Sequence, residues 1–343
     1  MLKSFKSKIV LLKETKFWYL FLRFIFIPVY DFIWKFIINF QGKILYYLYN
    51  FKKRNYHNLD KNDKLLVKNN SNFISIAKDI NNVIDDSLIT DLKNNLLNKI
   101  ETDPTKNQFA DYKIGLYDSF NDDLKDKIIN FALSEENIAT AANYLKVLPI
   151  ISKIAVYLNI PSGEQKGSMF WHKDDFGYKS LDIFMTIRDL DTENGPLYFV
   201  KPKHPLGVFF KAKDVIKNAK PGERNKIKVE NFRKYYTDDQ TSSLEGKAGD
   251  SIFIDSFTVY HRGGYCNSKN RIMFRISYQT PDSISTQSIN HKNGNYFHNK
   301  IKEKEVKNIF YKYILFKKIN KLYQFLNMPD LLLSIIRLVH FKK

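Results

Sequence analysis

The stretch from residue 168 to residue 279 constrains the fold of this 343-residue chain more than any other part of it. Short runs of β-branched and aromatic residues follow one another there, and turn-forming segments such as ENGP and HRGG separate the runs. Such runs between turn residues are typical of β-strands. The sequence therefore predicts an all-β core in this stretch.

The part of the chain that precedes this core has helical periodicity. Asn72–Ile100 predicts a short strand at FISIA and then a helix whose buried side includes Ile89, Leu92 and Leu97. Residues 119–159 predict further helices, followed by a strand at KIAVYLN. We therefore expect helices ahead of the β core.

Positive charge is concentrated at the two ends of the chain. Residues 1–56 contain eleven Lys or Arg against two acidic residues, and residues 299–343 contain eleven against three. Residues 57–298 therefore carry only +2 of the formal net charge of +19. Because the core is nearly neutral and the ends are apolar as well as basic, no nucleic-acid partner is expected.

Both basic ends are also rich in aromatic and aliphatic residues. In Phe17–Phe51 the apolar runs are interrupted by Arg23, Asp31 and Lys35, whereas a membrane-spanning helix needs about 20 nearly uninterrupted apolar residues. We predict amphipathic helices at both termini that lie on an anionic membrane surface. In the alternative interpretation these helices pack on the core or on a second subunit, and a single membrane span is less favoured.

The cysteine content and the first residues bear on the compartment. The single cysteine, Cys266, excludes an intrachain disulfide and a cysteine-based zinc cluster. The first sixteen residues are rich in Lys and lack the apolar stretch of a cleavable signal peptide. These features favour a cytoplasmic protein, and the basic amphipathic termini predict that it associates peripherally with a membrane.

The segment FWHKDDFG contains the first candidate metal ligands. His172 and Asp174 are two residues apart, and residues i and i+2 of a strand point to the same side. Both side chains can therefore reach one metal ion. Asp175 is a weaker candidate, because its side chain would point away from that of His172.

A second block, GDSIFIDSFTVYHRGGYCNSKNRIMFRISYQ, supplies a third ligand. A turn leads into an apolar strand, and His261 precedes a Gly-Gly turn and a further strand. Two imidazoles and one carboxylate form the facial triad that binds iron(II) and leaves positions for a bidentate 2-oxo acid and O₂. His172, Asp174 and His261 are therefore the predicted metal ligands and catalytic residues.

A 2-oxoglutarate co-substrate also needs a partner for its distal carboxylate. A guanidinium on a rigid strand provides two parallel hydrogen bonds, and Arg271 and Arg275 are both candidates. They are four residues apart and lie on the same strand face, so alternation does not choose between them. Tyr157 and Thr186 are expected on strands that face this pocket, where they would contact the co-substrate or pack in the core.

Two blocks of the chain, Trp171–Pro205 and Gly249–Gln279, together resemble the phytanoyl-CoA dioxygenase family of iron(II)- and 2-oxoglutarate-dependent oxygenases. The shared features are an H-x-D beside a tryptophan, the acidic turn DLDTENGP and a G-D…D…H-x-G…R…Y pattern. A weaker likeness extends over Asn72–Pro161. The resemblance implies a mainly β fold with flanking helices around a double-stranded β-helix (jelly roll), with Fe(II), 2-oxoglutarate and O₂ as cofactor and co-substrates.

The resemblance also implies residue roles. His172, Asp174 and His261 would bind iron, and Arg271 would hold 2-oxoglutarate. The gap between His261 and Arg271 is one residue shorter than the family pattern, which keeps Arg275 as an alternative. Since a halogenase of this fold lacks the metal-binding carboxylate, the presence of Asp174 favours hydroxylation.

These observations predict three regions, namely a basic N-terminal segment 1–56, a dioxygenase domain 57–298 and C-terminal helices 299–343. Within the domain, residues 201–234 hold eleven Lys or Arg against three acidic residues. We interpret this insertion as a lid over an anionic small-molecule or lipid-like substrate, with a solvated loop as the alternative. The rival function is a non-catalytic jelly-roll binding protein at a membrane surface.

Overall fold

The computed structural model describes residues 36, 39, 40, 42–48, 65–68, 70–102, 112–161, 164, 165, 167–174, 180–201 and 226–280. The predicted C-terminal helices, Asp175 and most of the basic insertion lie outside these residues. Of the N-terminal segment, residues 36, 39, 40 and 42–48 are helical. No helix in the described part of the chain is long and apolar enough to cross a membrane.

Helices precede and accompany the strands. The α-helices are α1 (Ser71–Asn82), α2 (Asp86–Thr102), α3 (Asp122–Ala132), α4 (Glu135–Leu145) and the single turn α5 (Val229–Phe232). The side chains of Asn70, Asn121 and Ser134 accept backbone hydrogen bonds at the starts of α1, α3 and α4. These caps satisfy N–H groups that a helix leaves unpaired. The prediction of helices ahead of the β core is confirmed.

The predicted strand at FISIA is wrong, because residues 73–77 lie inside α1. The residues that α1 buries are Phe73, Ile76, Ala77 and Ile80. Their spacing fits one face of a helix and not one side of a strand. In α2, Ile89 is buried as predicted, but Leu97 is 55% exposed. The predicted buried side of α2 is therefore wrong at Leu97.

Six strands form the larger sheet. They are β1 (Leu65–Lys68), β2 (Lys113–Gly115), β3 (Ile150–Asn159), β4 (Ser180–Thr186), β7 (Ser251–Ile254) and β9 (Arg271–Gln279). Their spatial order is β1-β7-β4-β9-β3-β2, and neighbouring strands run antiparallel. The strand predicted at KIAVYLN lies within β3, as expected.

A smaller antiparallel sheet packs against the larger one. It contains β5 (Leu197–Val200), β6 (Thr241–Leu244) and β8 (His261–Gly263), in the order β6-β5-β8. Phe184 and Ile252 of the larger sheet share one apolar cluster with Leu197 and Phe199 of the smaller sheet. Two facing antiparallel sheets with flanking helices agree with the predicted jelly-roll class.

The larger sheet has two chemically different faces because successive side chains of a strand point to opposite sides. The outward residues of β9 join the core that α1, α3 and α4 cover, and they are Ile272, Phe274, Ile276 and Tyr278. The inward residues of β9 are Arg271, Met273, Arg275, Ser277 and Gln279. The inner face, which the smaller sheet faces, therefore holds the charged groups.

Candidate active site

Backbone pairing brings the three predicted metal ligands together. His172 and His261 form an isolated antiparallel bridge, in which each backbone N–H donates to the carbonyl of the other residue. The backbone N–H of Asp174 donates to the carbonyl of Ser256 at 2.9 Å. Ligand atoms of His172, Asp174 and His261 all lie within 4.8 Å of one another. Side chains from two separate segments thus converge as a group that could hold a metal ion.

Hydrogen bonds orient both imidazoles toward the same carboxylate oxygen. Oδ1 of Asp174 lies 3.7 Å from Nε2 of His172 and 3.9 Å from Nε2 of His261. On the far side of the rings, Nδ1 of His172 is 2.7 Å from the carbonyl oxygen of Phe170, and Nδ1 of His261 is 3.1 Å from that of Val259. An Nδ1–H that donates to a carbonyl leaves the lone pair of Nε2 for a metal.

The protonation states suit a metal site. Burial, together with the neighbouring His261, lowers the pKa of His172 to about 4, and burial also lowers the pKa of His261. Burial by itself would raise the pKa of Asp174, but Arg275 and the two imidazoles lower it overall. At neutral pH the site therefore presents two neutral imidazoles and one carboxylate, the donor set that Fe(II) takes in its facial triad.

Arg275 contacts the second oxygen of Asp174. Its Nη2 lies 2.5 Å from Oδ2 of Asp174 and 3.0 Å from Oδ2 of Asp182, and its Nε donates to Oγ of Ser277 at 3.1 Å. Despite the burial of the guanidinium, Asp182 and Asp174 raise the pKa of Arg275. Arg275 therefore already has two acidic partners, and Oδ1 of Asp174 is left facing the imidazoles.

Arg271 is the first residue of β9, on the same inner face as Arg275, and it has neutral partners. Its guanidinium donates to the carbonyl of Gly195 and, at 3.4 Å, to Oδ1 of Asn159. Burial lowers the pKa of Arg271, and in the part of the chain that the structure describes no carboxylate contacts it. A Cβ on Gly263 would lie 2.9 Å from Nη2 of Arg271. Glycine at this position therefore leaves space for the guanidinium.

Tyr157 and Thr186 occupy one row of the inner face, since both pair with Met273 of β9. The hydroxyl of Thr186 donates to the carbonyl of Lys247 at 2.6 Å. Its proton is thus used to hold the turn before β7. The ring of Tyr157 is contacted by the ammonium group of Lys113, 3.6 Å from the ring centroid.

The sequence patterns do not identify three charged residues of the inner face, namely Lys113, Lys153 and Asp182. Asp182 is fully buried, and a carboxylate within the apolar run LDIFMT is a detectable signal because a buried charge requires a partner. The two lysines carry no such signal. β2 has only three residues, and Lys153 follows an irregularity in the pairing of β3.

A family model described as phytanoyl-CoA dioxygenase (PhyH) matches residues 68–273, which is more than half of the chain. The chain belongs to the phytanoyl-CoA dioxygenase family. The resemblance seen in the sequence is confirmed, and the family places the chain among iron- and 2-oxoglutarate-dependent oxygenases. The donor set of His172, Asp174 and His261 fits the iron of such an enzyme.

Solved structures are similar to the chain at low sequence identity. The non-heme alpha-ketoglutarate-dependent epimerase SnoN from nogalamycin biosynthesis is 17% identical, and the match covers 49% of this chain and 61% of that one with a TM-score of 0.32. AviO1 from Streptomyces viridochromogenes Tue57 is 14% identical, and the match covers 66% of this chain and 98% of that one with a TM-score of 0.36. EctD from S. alaskensis with 2-oxoglutarate and 5-hydroxyectoine is 13% identical, and the match covers 66% of this chain and 76% of that one with a TM-score of 0.36. The match thus spans about three fifths of the epimerase, and no curated protein sequence matches the chain.

Proposed function

We propose that the protein is an iron(II)- and 2-oxoglutarate-dependent dioxygenase that hydroxylates an anionic small-molecule or lipid-like substrate, with His172, Asp174 and His261 as iron ligands. The observation that carries this proposal is the convergence of two neutral imidazoles and one carboxylate oxygen within 4.8 Å. Such a set leaves positions on the iron for a 2-oxo acid and O₂. Hydroxylation is favoured over halogenation because Asp174 retains the carboxylate.

We assign the distal carboxylate of 2-oxoglutarate to Arg271. A buried guanidinium without an anionic partner is costly, and a carboxylate bound by two parallel hydrogen bonds would offset that cost. Arg275 is the weaker candidate because it already contacts Asp174 and Asp182. Tyr157 pairs with Met273, midway between the two arginines of β9, and would contact the body of the co-substrate.

When bound, Fe(II) and 2-oxoglutarate supply the oxidising chemistry that attacks a substrate C–H bond. The residues of this chain orient the reactants and exclude water. The carbonyls of Phe170 and Val259 fix the imidazole rings, and Arg275 fixes the carboxylate of Asp174. Phe184, whose ring lies 6.3 Å from that of His261, adds an apolar wall. These contacts give the metal position a preorganised and largely dry environment.

Succinate formation tests the proposed enzyme activity directly. The full chain receives Fe(II), 2-oxoglutarate, O₂ and an extract of metabolites and lipids, and a matched reaction contains a chelator in place of Fe(II). We expect iron-dependent succinate and a product heavier by one oxygen atom. Equal succinate in both reactions would favour the rival function, a non-catalytic jelly-roll binding protein. Iron-dependent succinate without an oxygenated product would contradict the proposed hydroxylation but not the dependence on iron and 2-oxoglutarate.

We further propose that segments 1–56 and 299–343 seat the domain 57–298 on an anionic membrane surface. The helical residues of the N-terminal segment support this proposal. Their large exposed side chains are Phe36, Phe40, Ile44, Tyr47 and Leu48. These positions share one helix face. On the opposite side Tyr46 is buried and donates to Oδ1 of Asn143 at 3.2 Å, so the apolar face is directed away from the core.

Vesicle co-sedimentation tests the membrane proposal. We expect the full chain to pellet with vesicles of phosphatidylcholine and phosphatidylserine, and to pellet less with phosphatidylcholine alone because the basic segments lose their anionic partner. The double variant F40E/L48E should stay in the supernatant, while Lys127→Ala, an exposed change on α3, should behave as the wild type. A wild-type chain that remains in the supernatant with both vesicle types would rule out the membrane role.

A further inference from the structure

The turn formed by residues 255–259 contacts two of the three proposed iron ligands. It follows β7 and precedes β8. The carbonyl of Ser256 accepts a hydrogen bond from the backbone N–H of Asp174 at 2.9 Å. The carbonyl oxygen of Val259 lies 3.1 Å from Nδ1 of His261. The position of this turn therefore helps to set where the carboxylate and one imidazole of the site lie.

The same turn also reaches the carboxylate of Asp174 through side chains. The hydroxyl of Ser256 donates to Oδ2 of Asp182, and that carboxylate oxygen lies 3.0 Å from Nη2 of Arg275. Nη2 of Arg275 in turn lies 2.5 Å from Oδ2 of Asp174. A shift of the turn would therefore disturb both the backbone and the side chain of this proposed ligand.

Asp255 joins the turn to a helix. Its Oδ1 accepts the backbone N–H of Thr258 at 3.1 Å, and its backbone carbonyl accepts the N–H of Val259 at 2.9 Å. Asp255 is 1% exposed, and a buried carboxylate requires hydrogen-bond donors. Its other oxygen, Oδ2, accepts from the hydroxyl of Tyr144 at 2.5 Å. The turn is thus bonded to α4, which lies outside both sheets.

Tyr144 is suited to anchor the turn. It lies in the last turn of α4 and belongs to the apolar core between the helices and the outward face of the larger sheet. Burial and the carboxylate of Asp255 raise the pKa of Tyr144, so its hydroxyl keeps the proton that it donates. A packed side chain on a helix holds its partner more accurately than a side chain on a loop does.

We infer that Tyr144 and Asp255 are positioning residues of the iron site. Their hydrogen bond ties α4 to the turn, and the turn holds Asp174 and His261 in place. This inference rests on the proposed oxygenase function and adds to it a role for a helix outside the jelly roll. Removal of a group that orients a metal ligand typically weakens metal binding about tenfold to a hundredfold. Because Tyr144 acts through the turn, we expect an effect at the lower end of that range.

Two matched Tyr-to-Phe variants test the inference. Tyr278 provides the control, because its buried hydroxyl donates to the carbonyl of Ala132 at 2.6 Å on the outward side of the larger sheet. We expect Tyr144→Phe and Tyr278→Phe to lower the urea midpoint by similar amounts, since each loses one buried hydrogen bond. Fe(II) affinity, measured by calorimetry under argon, should fall about tenfold in Tyr144→Phe. It should stay at the wild-type value in Tyr278→Phe.

A double-variant cycle tests whether the two residues act through one bond. Asp255→Ala should weaken Fe(II) binding at least as much as Tyr144→Phe does, because it also removes the contact to Thr258. The double variant should bind Fe(II) no more weakly than Asp255→Ala, since the shared bond is already lost. Asp255→Asn should have an intermediate affinity, because the amide keeps one acceptor oxygen. Additive losses of affinity would overturn the inference.

The outcomes distinguish this inference from the proposed function. If Tyr144→Phe binds Fe(II) as tightly as the wild type while succinate formation depends on iron, the proposed function stands and the inference is overturned. If the wild type binds no Fe(II), the assignment of the iron ligands fails and the inference fails with it. Should Tyr144→Phe not fold, Asp255→Asn takes its place, and wild-type Fe(II) affinity in that variant overturns the inference in the same way.

Discussion

The two faces of the larger sheet use the same strands for different purposes. The outward face of β9 is entirely apolar or aromatic and packs under α1, α3 and α4. The inward face carries Arg275, which contacts the proposed iron ligand Asp174, and Arg271, which is directed to Gly195 and Asn159. Burial of apolar surface stabilises the fold without specifying chemistry, whereas buried charges cost stability and are retained where they serve a site. Substitutions on the two faces should therefore have separable effects.

The largest effect is expected from Asp174→Ala on the inner face. Removal of the carboxylate eliminates one proposed iron ligand, so we expect succinate formation to fall to about one thousandth or less and Fe(II) affinity to drop sharply. The fold should remain, because Arg275 keeps Asp182 as a partner. Succinate assays, iron titration and thermal unfolding measure these three quantities. A variant that binds iron and turns over normally would refute the ligand assignment.

On the outer face, Phe274→Ala should act on stability instead. Phe274 is 0% exposed, and truncation of a buried phenylalanine costs about 3–5 kcal/mol. Urea unfolding should show this loss, with a smaller loss for the control Phe274→Leu. Folded Phe274→Ala should bind Fe(II) with wild-type affinity. If iron affinity falls while the unfolding midpoint does not, the separation between the two faces is wrong.

In the metal-free chain, the stability of the fold should depend on pH because the imidazole of His172 is buried in its neutral form. His172 has a folded pKa of about 4 against an ordinary value of 6.5, so between these values the unfolded chain binds more protons. The free energy of unfolding therefore keeps its full value above pH 6.5 and falls by about 3 kcal/mol as the pH is lowered toward 4. Urea unfolding at several pH values measures this loss. His172→Gln should reduce the dependence, and an unchanged pH profile in that variant would contradict the assignment.

The smallest of the four effects should show which of the two arginines of β9 binds 2-oxoglutarate. Arg271→Met should raise the KM for 2-oxoglutarate about 50-fold, because it removes charge-assisted hydrogen bonds to the co-substrate. The matched variant Arg275→Met should leave that KM nearly unchanged. It should weaken Fe(II) binding about tenfold to a hundredfold, because Asp174 loses the hydrogen bond that orients its carboxylate. The reverse pattern would identify Arg275 as the anchor of 2-oxoglutarate.

The sequence predicted the β core because runs of β-branched residues and turn residues are local signals, whereas the jelly-roll class came from the resemblance of two motif blocks to a known family. The same kind of reasoning failed at FISIA, where a β-branched run resembles a strand. Two features favour a helix at this position. Asn70 caps the start of α1, and Ile80, one turn beyond FISIA, is buried on the same helix face. A short apolar run is ambiguous between the two periods until its continuation and its cap are considered together.

By itself the sequence determined the donor types and their spacing. The H-x-D pair of His172 and Asp174 and the later His261 are distinctive because the chemistry of iron(II) demands those groups. Tertiary structure alone showed that Arg275 is paired with Asp182 and that Lys113 approaches Tyr157. Alternation fixes the face of a strand on which a side chain lies, but not its neighbours on adjacent strands. In this sheet, β4, β9, β3 and β2 are adjacent although distant in sequence, so packing alone sets those contacts.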